Sequence, residues 1–240
     1  MTYQIYPGAK LYFEMTPEGA PAGSMCCWVC DSNKNLYMLT AGHNTPLGAS
    51  DGTIKVIHDS KLNKIISDLN THNSNCVIRG VGGVGVCDAA LVNLNSIKNN
   101  LVKDNFAIGG VLVNGFLSGF GANPVVNTSL QMWNSITDAN MGPVGVFQCQ
   151  VADILNPSQN PIQMTVKVLN GNQAGGGNSG TCVYDSNGIV YGLLSQGTKN
   201  QSYSDEFFAM LSSNIQQKVF TENSLNNCQI ATWANKNAWT

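Results

Sequence analysis

Short apolar runs set between turn-forming clusters are the feature that most limits how this chain can fold. They include Leu36–Thr40, Val56-Ile57, Cys76-Val77-Ile78, Ala90–Leu94, Val111–Val113, Val144–Val151, Met164–Leu169, Cys182-Val183-Tyr184 and Ile189–Leu194. Runs of this length bounded by Gly, Asn, Asp and Ser read as strands, and their close spacing suits β-barrels better than alternating β/α units. Composition agrees. Only 11% of the residues are charged, against roughly 25% in ordinary soluble domains, and Gly, Asn, Ser and Thr fill the polar positions. With 240 residues, 43% of them hydrophobic, the chain can bury one large core or two small ones. A net charge of −2 and the lack of a basic cluster argue against nucleic acid as a partner.

Residues Phe106 to Val126 carry no charged side chain, but five glycines, Asn114, Asn123 and Pro124 argue against a membrane helix. Two strands joined by glycine turns are expected there, opening a second barrel. The polar stretch Asn95 to Asn105 marks a boundary, giving residues 1–98 and 99–210 as two β units and 211–240 as a helix and tail. Ser213-Asn214-Ile215-Gln216 reads as a capping box, with Ile215 and Val219 on one helix face. The tail holds Trp233 and Trp239. It is expected either to pack on the surface or to bind a partner or the cleft.

The chemistry lies in three separate segments. His43 ends the strand-like run Leu36–Thr40 after Ala41-Gly42, and a strand end is a rigid mount for a base. Asp88 opens the apolar run Ala89-Ala90-Leu91-Val92. Ser179 lies in Gln173-Ala174-Gly175-Gly176-Gly177-Asn178-Ser179-Gly180, a segment with almost no side-chain bulk. Alone, each fragment has an ordinary reading as a core histidine, a cap or a turn. Together they supply a hydroxyl, an imidazole to take its proton and a carboxylate to orient the imidazole. The glycine-rich turn can also aim the N–H groups of Gly177 and Ser179 at one developing oxyanion. The order His, Asp, Ser excludes an α/β-hydrolase arrangement, because His43, His58 and His72 all precede Ser179. A subtilisin-like order fails because only Asp31 precedes His43. A caspase-like pairing of His43 with Cys87 lacks the residues expected around such a nucleophile.

Over about residues 20 to 215 the chain resembles the chymotrypsin-like (trypsin-like) serine proteases. The resemblance rests on Leu39-Thr40-Ala41-Gly42-His43, Asp88-Ala89-Ala90-Leu91, Gly177-Asn178-Ser179-Gly180 and Gly188-Ile189-Val190-Tyr191-Gly192-Leu193-Leu194-Ser195-Gln196-Gly197. It implies an all-β fold of two six-stranded antiparallel β-barrels with the active site in the cleft between them, plus a C-terminal helix. It further implies a serine endopeptidase working through an acyl-enzyme. His43 would be general base, Asp88 its orienter and Ser179 the nucleophile, with Gly177 and Ser179 forming the oxyanion hole. Neither metal nor organic cofactor is implied, and the partner is a protein or peptide substrate. By the same resemblance the pocket base lies near Gln173, its walls near Ser195 and Gly197, and Phe207 at the back. No acid occupies the floor position and no histidine lies in the second half, so small or medium apolar side chains are the expected substrates.

Two departures carry expectations of their own. Asn178 stands where the family's zymogens have an Asp that pairs with a newly cut N-terminus, so activity without N-terminal trimming is expected. Asn44 stands where extracellular members place a bridged Cys. Family disulfides therefore do not map onto Cys26, Cys27, Cys30, Cys76, Cys87, Cys149, Cys182 and Cys228. No secretory signal is visible at the N-terminus, which leaves intracellular, viral-polyprotein and signal-independent export settings open. Reduced thiols in the core are expected. A metal or redox role for Cys26-Cys27-Trp28-Val29-Cys30 and a catalytically inactive protease-fold binding module are the competing readings.

Overall fold

The computed structural model describes residues 5–13, 23–44, 53–56, 66–70, 76–79, 87–95, 97–155, 162–198, 201–225 and 227–240. Seven strands come from the first half: β1 (Lys10–Phe13), β2 (Gly23–Cys30), β3 (Leu36–Thr40), β4 (Thr53–Val56), β5 (Ile66–Asn70), β6 (Cys76–Arg79) and β7 (Ala89–Asn93). They pair in the order β5-β4-β1-β2-β3-β7-β6 as a curled half-barrel. Among the described residues its end strands, β5 and β6, are not joined to each other.

The second half supplies β8 (Gly119–Phe120), β9 (Ser129–Asn134), β10 (Gly145–Leu155), β11 (Gln163–Val168), β12 (Ala174–Gly175), β13 (Cys182–Tyr184), β14 (Ile189–Gly197), β15 (Tyr203–Ser204) and β16 (Glu206–Leu211). Six of them close a barrel, β13-β9-β10-β11-β16-β14, through the pairing of β13 with β14. The ribbon β12–β15 stands apart from that barrel. The double-barrel architecture implied by the sequence thus takes the form of one closed barrel and one open curled sheet.

Side-chain periodicity explains the closed barrel. In β9, β10 and β11 buried and more exposed residues alternate, as a strand with one face on a core requires. Met132, Phe147, Val151, Met164, Val166 and Phe207 meet inside. The first sheet behaves differently, for every residue of β2 and β3 is buried. Val29, Leu39 and Leu91 pack with Leu193 of the barrel and with Ile215, Val219 and Phe220. Trp28, Leu36 and Met38 pack on Phe106, Leu101 and Trp239.

Helix α1 (Ser212–Ile215) continues with a widened turn through Phe220 and a tight one through Asn223. Ile215 and Val219 are buried together, as the spacing predicts. The expected capping box is not formed. The helix begins two residues earlier, at Ser212, so Ser213 lies inside it, and the Ser213 hydroxyl donates to Asn123 Oδ1. The tail is neither a surface appendage nor a plug for the cleft. Its strand β17 (Gln229–Ile230) extends the first sheet beside β2, and Trp239 is fully buried with its ring stacked 5.0 Å from Phe106. Both interior indoles are satisfied, Trp28 Nε1 by the Asn105 carbonyl at 2.7 Å and Trp239 Nε1 by the Thr232 carbonyl at 2.9 Å.

The stretch 106–126 also departs from expectation. Its residues form successive 3-10 turns rather than a pair of strands, with Leu112–Asn114 turned where Val111–Val113 reads as a strand. Gly109 and Gly110 both take a positive φ that favours glycine, and a Cβ on Gly109 would lie 2.5 Å from the Trp133 ring. β8 is the one strand there, and it lies parallel to β14 outside the closed barrel.

Candidate active site

β3 and β7 are neighbours with Thr40 opposite Ala90, so the turn after β3 and the residue before β7 meet at one sheet end. That register brings Asp88 to His43. The His43 backbone N–H donates to Asp88 Oδ1 at 2.9 Å, and His43 Nδ1 lies 2.8 Å from Asp88 Oδ2. The Ser195 hydroxyl also donates to Asp88 Oδ2. Asp88 is 1% exposed while the His43 side chain is 32% exposed, so the carboxylate is enclosed and the ring reaches solvent. Burial pushes the Asp88 carboxyl up, but the hydrogen bonds and charge of His43 and the Ser195 hydroxyl outweigh it and hold the group below its ordinary value. An ionised Asp88 makes Nδ1 the protonated nitrogen of a neutral His43, leaving Nε2 as the acceptor.

Ser179 reaches the same cleft from the barrel. A cavity of about 450 Å³ is lined by His43, Ser179, Ser195 and Gly197 among others. The Ser179 hydroxyl donates to the Ser195 carbonyl at 3.0 Å, and among the described residues no hydrogen bond joins it to His43. The turn around it is fixed by backbone bonds. Asn178 N–H donates to the Gly175 carbonyl, Thr181 N–H to the Asn178 carbonyl, and Gly180 N–H to the Leu194 carbonyl. Because a trans peptide points its N–H opposite its C=O, holding the Asn178 carbonyl directs the Ser179 N–H the other way. Gly177 takes φ 92°, open to glycine alone at little cost. Among the described residues, neither the Gly177 nor the Ser179 N–H has a protein partner, which is unusual for enclosed backbone donors.

Three residues hold the Ser179 turn here, Ser24 and Asn44 from the first half and Asn134 from the barrel, and sequence reading assigned none of them a role in the site. Ser24 N–H and Asn44 Nδ2 both donate to the Ser179 carbonyl at 2.7 Å, and the Ser24 hydroxyl donates to the Gly177 carbonyl at 2.7 Å. Asn44 Nδ2 also reaches Thr40 Oγ1 at 2.9 Å. Its amide covers Gly23, where a Cβ would fall 2.0 Å from Nδ2. On the barrel side, Asn134 at the end of β9 accepts from Asn178 Nδ2 at 3.0 Å. Asn44 stood out in the sequence only as a departure; Ser24 and Asn134 gave no signal at all.

The other residues implied by resemblance fall as follows. Ser195 and Gly197 line the cleft, as does Phe207, which is 1% exposed. Gln173 is half-buried and does not line it; its N–H goes to the Met141 carbonyl, and Ala174, Gly175 and Gly176 form that side of the cavity. Cys87 lies in the apolar core between the halves rather than in the cleft. Cys26, Cys27, Cys30, Cys149 and Cys182 are buried thiols, and Cys228 is half-buried. The Cys76 side chain lies outside the described residues.

No family model matches the chain, and no curated protein matches it in sequence. Solved structures do. A Nocardiopsis protease (NAPase) superposes with TM-score 0.53 at 15% identity, covering 97% of this chain and 100% of that one. Thermobifida fusca protease A gives 0.54 at 14% identity, again covering 97% and 100%. A mutant of human heparin binding protein (CAP37) gives 0.51 at 14% identity, covering 93% and 97%. The fold is therefore that of the chymotrypsin-like serine proteases. At such identities the likeness speaks for the architecture, and the chemistry rests on the residues of this chain.

Proposed function

We propose that the protein is a serine endopeptidase acting through Ser179, His43 and Asp88. The observation that carries this reading is the enclosed Asp88–His43 pair sharing one cleft with Ser179 and two unpartnered N–H groups. In the proposed reaction Ser179 Oγ turns from the Ser195 carbonyl toward His43 and adds to the substrate carbonyl as Nε2 takes its proton. Asp88 holds the ring and stabilises the imidazolium. The carbonyl oxygen becomes an oxyanion between the Gly177 and Ser179 N–H groups. Collapse breaks the C–N bond, His43 returns the proton to the departing amine, and water attacks the acyl-enzyme by the reverse sequence of proton transfers.

A peptide strand can add to β14 at Ser195–Gly197, beside the hydroxyl. Gln201, Ser202, Ser204 and Phe207 line the same cavity, with no carboxylate among the described residues, which favours a neutral side chain over Lys or Arg. The test is labelling by a fluorophosphonate probe with peptide turnover measured in parallel. Ser179→Ala should abolish labelling and lower kcat by about 10⁶-fold, the loss typical of a removed nucleophile.

The second reading, a binding module without turnover, is favoured by one observation, the bond from Ser179 Oγ to the Ser195 carbonyl. Well-folded protein that shows no Ser179-dependent labelling would establish it over the first.

A further inference from the structure

Asn178 and Asn134 are both fully buried, and every polar atom of the two amides is engaged. Asn178 Oδ1 accepts from the Gly175 N–H at 3.0 Å and Asn178 Nδ2 donates to Asn134 Oδ1 at 3.0 Å. Asn134 Oδ1 also accepts from the Ile136 N–H at 3.1 Å, and Asn134 Nδ2 donates to the carbonyls of Ile136 and Pro143 at 3.0 and 3.1 Å. Backbone groups at both ends fix which atom is oxygen and which nitrogen, so neither amide can be flipped without opposing like groups. Position 178 must therefore donate to position 134, and position 134 must accept.

We propose that this amide pair is a charge-free lock that holds the Gly177–Ser179 turn in its anion-binding form, making Asn134 and Asn178 positioning residues whose hold on the turn does not titrate. The inference rests on the protease reading of the same site. A buried ion pair in this place would tie the donors to the protonation of its partners. Two neutral amides have no such dependence, and a buried polar network is stable only when every member is satisfied, as here. The titratable groups on the elements around the pair are Asp138 on the β9–β10 connection, Tyr203 on β15, Cys182 and Tyr184 on β13, and His43 and Asp88 across the cleft. Asp138 and Tyr203 bond to each other at 2.8 Å, and Asp88 is engaged by His43 and Ser195. Among the described residues, Asn178 therefore bonds to no ionisable side chain.

The experiment compares Asn178→Asp and Asn178→Ala with the wild type in kcat/KM from pH 5.5 to 9. In N178D the new side chain, when ionised, can accept from Gly175 but cannot donate to Asn134, and it is buried without a counter-charge. Protonation of that carboxylate restores the donor. The N178D-to-wild-type ratio should therefore rise about tenfold or more as pH falls, the scale of one regained buried hydrogen bond, while the N178A ratio stays low and flat. Taking ratios removes any pH dependence common to the three proteins. Flat ratios for both variants, in protein that melts cooperatively, would overturn the lock.

Amide exchange at Gly175 supplies a readout without turnover. Its protection should be lost in N178A and kept in N178D, and equal protection in all three proteins would also overturn the proposal. A wild type that neither labels nor turns over would sink the protease reading by itself, leaving the exchange result to decide the lock.

Discussion

The two sheets bury their residues in opposite styles. The closed barrel shows one face to its interior and the other largely to solvent, so β9 and β11 alternate. β2 and β3 of the first sheet are covered on both faces, by the barrel and helix on one side and by the 97–106 segment and the Trp tail on the other. A strand buried on both faces loses period-two patterning and becomes a continuous apolar run. The first sheet thus holds His43 and Asp88 on elements clamped from two sides, whereas Ser179 sits on a turn built from backbone hydrogen bonds and glycines.

The largest effect that would sharpen this contrast comes from Asp88→Asn. Without the carboxylate the His43 tautomer is no longer set, and kcat should fall about 10⁴-fold although the fold persists; single-turnover kinetics with a peptide ester would show it. A pH signature accompanies it. The Asp88 carboxyl is held below its ordinary value, so it contributes stability that is present above the unfolded-state pKa, roughly 4, and is lost as pH falls through the lower folded value. Denaturant unfolding between pH 7 and pH 2 should show that acid loss in the wild type and a smaller one in D88N. Equal acid slopes would mean that the first sheet does not hold the carboxylate as described.

Next in size is Trp239→Ala. Removing a fully buried indole from the clamped face should cost about 3–5 kcal/mol, read from urea unfolding. A cost below about 0.5 kcal/mol, the scale of surface substitutions, would mean that the tail is an accessory and the double burial of β2 has no energetic weight.

Third, and smallest, are the thiols. Burial and the Asp31 carboxylate push Cys30 to about 11, burial alone pushes Cys149 to about 12, and burial with Asp31 pushes Cys228 to about 12. Thiolate is the reactive form, so at pH 8 iodoacetamide should modify these three only slowly, Cys228 first, with rapid modification in denaturant. Mass spectrometry of the native reaction gives the order. Fast modification of Cys30 would show that the first sheet opens where the barrel does not.

These differences also account for what the sequence disclosed. The alternating strands of the barrel and the apolar runs at Leu36–Thr40 and Ala89–Leu91 are written in residue type, and so were readable. That His43, Asp88 and Ser179 gather at one cleft was readable too, because each has a distinctive local setting. Closure was implied by the resemblance and not by residue pattern, since the pairing of β13 with β14 depends on twist and register over the whole barrel. The glycines at 109 and 110 suggested hairpin turns, but Trp133 presses on Gly109 from a strand distant in sequence, and the chain coils beneath it. Ser24, Asn44 and Asn134 act through backbone carbonyls and amides that no residue pattern announces. The expected capping box failed because the helix starts at Ser212, which places Ser213 inside it rather than at its cap.

The bonds from Ser24 and Asn44 to the Ser179 carbonyl have a consequence for anyone recombining this molecule. Asn44 is adjacent to His43 in the chain, so a single side chain ties the residue beside His43 to the main chain of Ser179. A chimera that exchanged one sheet for that of another protein of this fold would need Gly23, Ser24 and Asn44 to travel with the Gly177–Gly180 turn. Without that set, the halves would dock while their reactive atoms fell out of alignment.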